Sequence, residues 1–337
     1  MFFGFDDDQL AFRDALRDLL ERECTPATVR AAWDAPAGRL DRTIWDRLTE
    51  MGVLGTLVPE PADGLGLDER WLVLVLEEAG RYGLPHALVD TAAVAAPLVA
   101  ETGAGRGPGP AGPADAHGLG MVATDLGGPL VACAADADWL LLREPATGAL
   151  HLVDPAAAVL TPAATVDAAR RAATVDWQPA PATLVTDDPA AVALAHDRGA
   201  WATAALLVGL AQRMLDMAVD HVCSRRQFGV PVGSFQAVKH HLADALTELA
   251  FARPAVQRAA HSLATGADTR ARDVSMAKAM ASDAARFVGR RALQCHGAIG
   301  YTVEHDLHLY LKRTWALAAA WGDAAWHRDR VGTAIGV

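Results

Sequence analysis

Two long helical stretches meet at one tight corner, and this meeting restricts the chain more than any other feature. Leu206, Leu210, Met214 and Met217 recur on one face of a helix entering from Trp201. Val238, Leu242, Leu246 and Leu249 recur on one face of the helix that leaves after Ser234. Between them Gly229, Pro231 and Gly233 interrupt any helix, so the pair must form a hairpin. Two further helical patterns, from about Asp273 to Cys295 and from about Asp306 to His327, make a four-helix bundle the economical arrangement. Pro254 is expected to kink the outgoing helix. Arg225 and Arg226 stand at the corner itself. An arginine pair beside glycines can hold a phosphate or pyrophosphate, because guanidinium forks pair with oxyanions and glycine lets the backbone come close. The same pair can instead neutralise the carbonyls at the end of the incoming helix.

An anionic ligand needs such a local site, because the chain as a whole is acidic. Its 337 residues carry 30 Lys and Arg against 41 Asp and Glu, a net charge of -11, which disfavours a general nucleic-acid or anionic-membrane surface. With 52% hydrophobic residues, two or three compact units can be built. The start, Met1 to Asp8, lacks the basic region and apolar run of a signal peptide, and charges or prolines are expected to interrupt the alanine-rich segments short of bilayer length. Cys24, Cys133, Cys223 and Cys295 are far apart with no C-x-x-C pair, as in a reducing compartment. A cytoplasmic protein is expected, with no nucleic acid, membrane or disulfide framework.

Three parts are legible along the chain. Residues 1–118 read as a helical domain followed by a linker: apolar residues recur at helical spacing from Leu10 to Leu20 and from Trp45 to Leu54. Val58 to Leu67 then forms a loop rich in Pro and Gly, Trp71 to Arg81 a further helix, and Gly103 to Gly120 the linker. Residues 119–186 read as a small β unit, with apolar runs at Met121–Ala123, Leu130–Cys133, Trp139–Leu142 and Leu150–Val153. Residues 187–337 form the bundle. The fold class is mostly α with a small central β domain.

The corner reads R-x-Q-F-G-x-P-x-x-x-F-Q from Arg225 to Gln236, with Ala243-Asp244 following. Val58-Pro59-Glu60 opens a glycine-rich loop, Glu77-Glu78-Ala79-Gly80-Arg81 reads E-E-x-G-R, and Gln294, Gly297 and Gly300 lie in one turn. Together these resemble the acyl-CoA dehydrogenases, and in particular the smaller, catalytically incomplete subunit of heteromeric bacterial ones that act on bulky acyl-CoA thioesters, including steroid side chains. The resemblance implies an N-terminal helical domain, a reduced β domain and a C-terminal four-helix bundle. It implies an FAD, bound mainly by an adjacent subunit, whose dinucleotide half faces Arg225, Gln227, Phe228, Gln294, Gly297 and Gly300. It also implies an acyl-CoA substrate, a homo- or hetero-oligomer with a second acyl-CoA dehydrogenase subunit, and an electron-transfer flavoprotein as acceptor.

The chemistry implied by the family needs a carboxylate to take the α-proton of the thioester while hydride leaves the β-carbon. Counting from Gly300, the base position of the commonest branch falls on Trp321, followed by Gly322, and an indole cannot take that proton. Asp323 lies two residues on, as a weak substitute or an ordinary capping aspartate. The base of another branch falls at Gly199, beside Asp197, which otherwise reads as an acidic residue at a helix start. The threonine-glutamate pair, the G-S-D turn and the G-x-K-x-x-I-T strand of the family's flavin-ring cradle are absent, with Thr124 to Gly128 the nearest remnant. Trp315, Trp321 and Trp326 are candidates for narrowing a pocket. His240, His241, His305 and His308 show no metal-site pattern, so no metal is expected. Two alternatives stay open: a self-sufficient homo-oligomeric dehydrogenase using Asp323 or Asp197, and a scaffold of the same fold that binds no flavin.

Overall fold

The computed structural model describes residues 4–34, 40–103 and 119–337. Most of the expected linker, and the boundary drawn at residue 118, lie outside the described residues. The N-terminal part holds α1 (Asp7–Glu23), α2 (Pro26–Asp34), α3 (Thr43–Glu50), α4 (Glu69–Tyr82) and α5 (Ala96–Thr102), the last extending a π-helical stretch, Val89–Ala95. Local chemistry sets these ends. Asp6 accepts the amide of Gln9 while Gln9 reaches back to the Asp6 amide, a reciprocal cap that starts α1. Gly83, in a left-handed conformation, ends α4.

The β part is a four-stranded sheet in the order β1 (Val122–Thr124), β2 (Trp139–Arg143), β3 (Leu150–Val153), β6 (Leu184–Thr186), plus a hairpin of β4 (Val159–Pro162) and β5 (Ala173–Asp176). β1 and β2 are parallel and the other pairs antiparallel. The apolar run Leu130–Cys133 is not a strand; only Val131 bridges, to Ala173, and Cys133 is left-handed. Burial rather than β pairing accounts for its composition, since Val131 and Cys133 are each 1% exposed.

The bundle consists of α6 (Pro189–Ser224), α7 (Gln236–Ala264), α8 (Arg270–His296), α9 (Leu307–Ala319) and α10 (Ala324–Ile335). α6 begins 12 residues before Trp201, capped by Asp188 with Pro189 in its first turn. Asp197 therefore lies two turns inside α6 and does not start it. α6 also reaches bilayer length, with a mean hydropathy of 1.3 in its best 18-residue window, contrary to the expected interruptions; 72% of that window is buried inside the protein. α7 continues through Pro254. Its expected apolar face divides: Leu249 is buried, whereas Leu246 is exposed. The last expected helix is two, broken where Trp321 (φ 59°) and Gly322 (φ 86°) are both left-handed.

The motif E-E-x-G-R proves to be the seam that joins α4 to α1 and to the bundle. Glu77 pairs with Arg253 at 3.1 Å, Glu78 with Arg17 at 2.5 Å and Arg81 with Asp216 at 2.9 Å. Gly80 faces α6, where a Cβ would come 2.2 Å from the Leu206 carbonyl oxygen; a Cβ on Gly209 would come 1.9 Å from that of Glu77. These glycines let the two helices approach backbone to backbone. Gly209→Ala should therefore lower stability by about 1–3 kcal/mol or prevent folding, read as a lower midpoint in urea, whereas Gly266→Ala, in an open turn, should cost less.

Candidate functional site

The corner is a miniature β hairpin. Arg226–Gln227 pairs with Val230–Pro231, and Phe228 (φ 51°) and Gly229 (φ 83°) supply the two left-handed residues of its turn. A bulky side chain rarely adopts this conformation, and Phe228 does so while 91% exposed, its ring edge-on to Phe235 at 6.2 Å. The Arg226 guanidinium donates to the Gly229 carbonyl oxygen at 3.2 Å and braces the turn. Arg225, whose amide closes the end of α6 on His221, leaves its side chain exposed, as does Gln227. The Arg226 guanidinium thus meets a carbonyl of the turn and not one at the end of α6, and the Arg225 side chain stays exposed at the corner, where a guanidinium fork can pair with an oxyanion.

The second motif lies beside the first. Gln294 is exposed on the last turn of α8, and Gly297 follows with φ 65° and ψ -142°; among the described residues nothing lies within 4 Å of where its Cβ would be. Gly300 is buried, and a Cβ there would meet the Cβ of His296 at 2.9 Å, so its small size serves the chain's own packing. The link between the motifs is aromatic: His221, four residues before Arg225, stacks on His296, two residues after Gln294, at 4.5 Å. His305 closes on His296 at 4.6 Å. Burial holds His296 down to about 4, and burial, His305 and Arg225 hold His221 below the usual imidazole range. The spacing of His305 and His308 does not bring those two together, since His308 turns to Trp33 and Arg30. His240 stays exposed, and His241 lies 3.1 Å from Arg291, which also reaches Asp244 at 3.6 Å.

The Trp321 side chain fills the interior between the β part and the bundle. The Trp321 amide donates to the Gly127 carbonyl oxygen at 2.9 Å, and its indole lies on two glycines. A Cβ on Gly127 would come 2.9 Å from the indole, and one on Gly199 would come 2.3 Å from it. One side chain therefore lies at both positions, 321 and 199, that the resemblance assigned to a base. The cavity it lines, with Asp90, Thr124, Arg170 and Thr203, has a free volume of about 60 Å³. That is far below the roughly 300–1,000 Å³ of a ligand pocket. Trp315 and Trp326, at 44% and 46% exposure, are outer-surface residues and do not line it.

Both candidate carboxylates are engaged within the chain. Asp323 caps α10, accepting the Trp326 amide at 2.9 Å, and this hydrogen bond holds its carboxyl below the usual range. Asp197 is completely buried, one oxygen held by Arg330 at 2.6 Å and the other by Arg270 at 3.2 Å. Asp90 was missed. Burial raises it to about 7 even though it accepts the Thr124 amide at 3.2 Å. Nothing in Val89-Asp90-Thr91 distinguishes it from a helix-surface aspartate; only the wall of the cavity does.

Lys278 holds this turn closed. It is fully buried on α8, and its ammonium donates to Ser282 Oγ at 3.2 Å and to the carbonyl oxygens of Ala318 at 3.3 Å and Gly322 at 3.0 Å. These bonds satisfy the end of α9 and fix the left-handed pair that points Trp321 inward. Burial lowers the Lys278 pKa to about 7 from an ordinary 10.5. Between those values the unfolded chain binds the extra proton, so this lysine makes stability rise with pH from about 7 to about 10. Lys278→Met should flatten that rise, measured as the difference between wild-type and variant unfolding midpoints across the range.

A helical N-terminal part, a small sheet and a bundle with two outward-facing loops define an acyl-CoA dehydrogenase architecture, and the chain belongs to that family. Residues 6–104 match the family's N-terminal domain and residues 190–336 its C-terminal domain. Acyl-CoA dehydrogenase IpdE2 of Mycobacterium tuberculosis is 31% identical, over 91% of both chains. Among solved structures, a variant of the Tcur3481-Tcur3483 steroid acyl-CoA dehydrogenase superposes with a TM-score of 0.84 at 26% identity over 98% of both chains. The ChsE4-ChsE5 complex from Mycobacterium tuberculosis shares the fold, with a TM-score of 0.88 at 22% identity over 100% of this chain and 99% of that one. The family is one of FAD-binding oxidoreductases that act on CH-CH bonds.

Proposed function

We propose that this chain is the cofactor-completing subunit of a heteromeric acyl-CoA dehydrogenase, and that the base and most of the substrate pocket lie on a partner chain. The observation that carries this reading is the Trp321 indole, packed on Gly127 and Gly199 where a flavin-dependent dehydrogenase would need its carboxylate. Outward-facing groups support it as well. Arg225 offers an oxyanion fork, Phe228 a strained and exposed ring, and Gln294 and Gly297 an open turn beside them. These residues fit the dinucleotide half of an FAD presented from outside, whereas the filled interior does not fit its ring. FAD supplies the hydride acceptor, and this chain's part is to pair with the pyrophosphate and shield its surroundings. Gly300 is left out of that surface, because its close contact is with His296 of its own chain.

A partner also fits the exposed apolar residues of the bundle: Phe228, Phe235, Leu246, Phe251, Met276 and Met280 expose more than a third of their surface. The ChsE4-ChsE5 relative by fold is itself described as a complex. The acceptor would be an electron-transfer flavoprotein, and the substrate a bulky acyl-CoA thioester such as one with a steroid side chain; the similar Tcur3481-Tcur3483 protein is described as a steroid acyl-CoA dehydrogenase. Four unpaired cysteines suit a cytoplasmic setting.

The visible spectrum tests this directly. The purified chain should be colourless alone and show a flavin band when co-expressed with a full-length acyl-CoA dehydrogenase encoded beside it. Arg225→Ala should lower the flavin content of that complex at least about tenfold without dissolving the fold. A stoichiometric flavin in the chain alone, bleached by an acyl-CoA, would overturn the proposal in favour of the self-sufficient enzyme, with Asp90 the first residue to replace. Phe228→Gly separates stability from function: relief of the left-handed strain should stabilise the isolated chain by up to ~1 kcal/mol while weakening flavin retention in the complex. Chemical denaturation and flavin titration read the two effects independently.

A further inference from the structure

We propose that His221, His296 and His305 form a binding site for one borderline divalent transition-metal ion, such as Zn²⁺, which staples the two outward-facing loops together. The three residues come from the end of α6, the end of α8 and the loop before α9, and one ring nitrogen of each lies within 4.8 Å of the others. A tetrahedral site with metal–nitrogen bonds of about 2.0–2.1 Å needs nitrogens roughly 3.4 Å apart, so the nitrogens must close by at most about 1.4 Å and the stacked rings must turn to point their lone pairs at one ion. His221 and His305 are only half-buried and sit at a helix end and in a loop, where such movement is easiest.

His296 is the fixed point. It is 5% exposed, and its Nδ1 lies 2.7 Å from the Ala292 carbonyl oxygen, to which it donates. Its proton thus committed, Nε2 carries the lone pair, and this buried atom has no hydrogen-bond partner among the described residues. An orphaned buried nitrogen is costly unless something fills it, and a histidine oriented through its other nitrogen by a backbone carbonyl is the usual form of a metal ligand. The Leu307 amide donates to His305 Nδ1 at 3.2 Å, which leaves the ring proton on Nε2, so either nitrogen of a neutral His305 can take a metal only when this long bond is given up. Three neutral imidazoles suit zinc, cobalt, nickel or copper better than calcium or magnesium, and they leave a fourth position for water. The staple would join the residue four before Arg225 to the residue two after Gln294. It does not depend on whether those loops hold a dinucleotide.

The test uses the full chain, stripped with a chelator and titrated with Zn²⁺ by calorimetry and with Co²⁺ by visible spectroscopy. The expected result is one equivalent bound at micromolar protein, tetrahedral cobalt bands and a raised melting temperature. His221→Ala and His305→Ala should each weaken binding by about tenfold or more, with little change in the melting temperature of the metal-free chain. A Cys223→Ser, Cys295→Ser double variant should bind as the wild type does. No binding in the micromolar range, binding that survives both histidine variants, or binding lost with the cysteines would overturn the proposal. If His296→Ala does not fold, the two half-buried positions still decide.

Discussion

The burial of α6 on nearly every side is the constraint from which the rest of the structure follows. A helix of 36 residues that carries Leu206, Leu207, Val208, Leu210, Ala211, Met214 and Leu215 inside cannot face water along its middle. Each large apolar side chain removed from water contributes about 1.5–3 kcal/mol, against a backbone and side-chain entropy cost of similar size. It therefore needs walls on several sides. α7 and α8 supply one side, α4 another and α9 a third, and the indole of Trp201 at its centre donates to the Val256 carbonyl oxygen at 3.2 Å. The crossing with α4 is close because Gly80 and Gly209 remove the side chains that would hold the helices apart.

That tight interior explains why the turn at Trp321 matters. Three features that would each be unfavourable alone meet there: a buried ammonium, a left-handed tryptophan and a broken helix. Together they satisfy one another. Lys278 finds acceptors in carbonyls that the helix end leaves free, the left-handed pair aims those carbonyls at it, and the indole fills space left by Gly127 and Gly199. The buried carboxylate nearby is handled differently. Asp197 keeps two arginines within 3.2 Å, and a carboxylate so paired is a structural tie and a poor proton acceptor.

On the outer side the balance is reversed. The hairpin at Phe228 keeps a strained backbone and a solvent-facing ring, held by the Arg226 brace and the edge-on contact with Phe235. Strain of this kind persists where a partner or ligand uses it. The stacked histidines behind the hairpin hold it against the turn at Gln294, so two loops about 70 residues apart in sequence act as one surface.

The sequence by itself determined the helical hairpin, the bundle and the family, because apolar spacing, Gly and Pro breaks and a long motif are local properties of the chain. It also raised the expectation that a tryptophan stands at the family's base position, since counting residues needs no geometry. The part played by Trp321 needed tertiary structure: that its ring lies on Gly199 depends on two helices more than 100 residues apart meeting at one point. The same holds for Asp197, whose helix starts two turns earlier than its acidic side chain suggests, and for Leu130–Cys133, buried without pairing as a strand. Asp90 looks like any helix aspartate until burial raises it, and Lys278 like any surface lysine until the end of α9 closes over it. Residues 221, 296 and 305 share no spacing, and their meeting is decided by where three separate elements end. Local pattern sets which elements form; packing in three dimensions alone decides which side chains lose water and which are left to face one another.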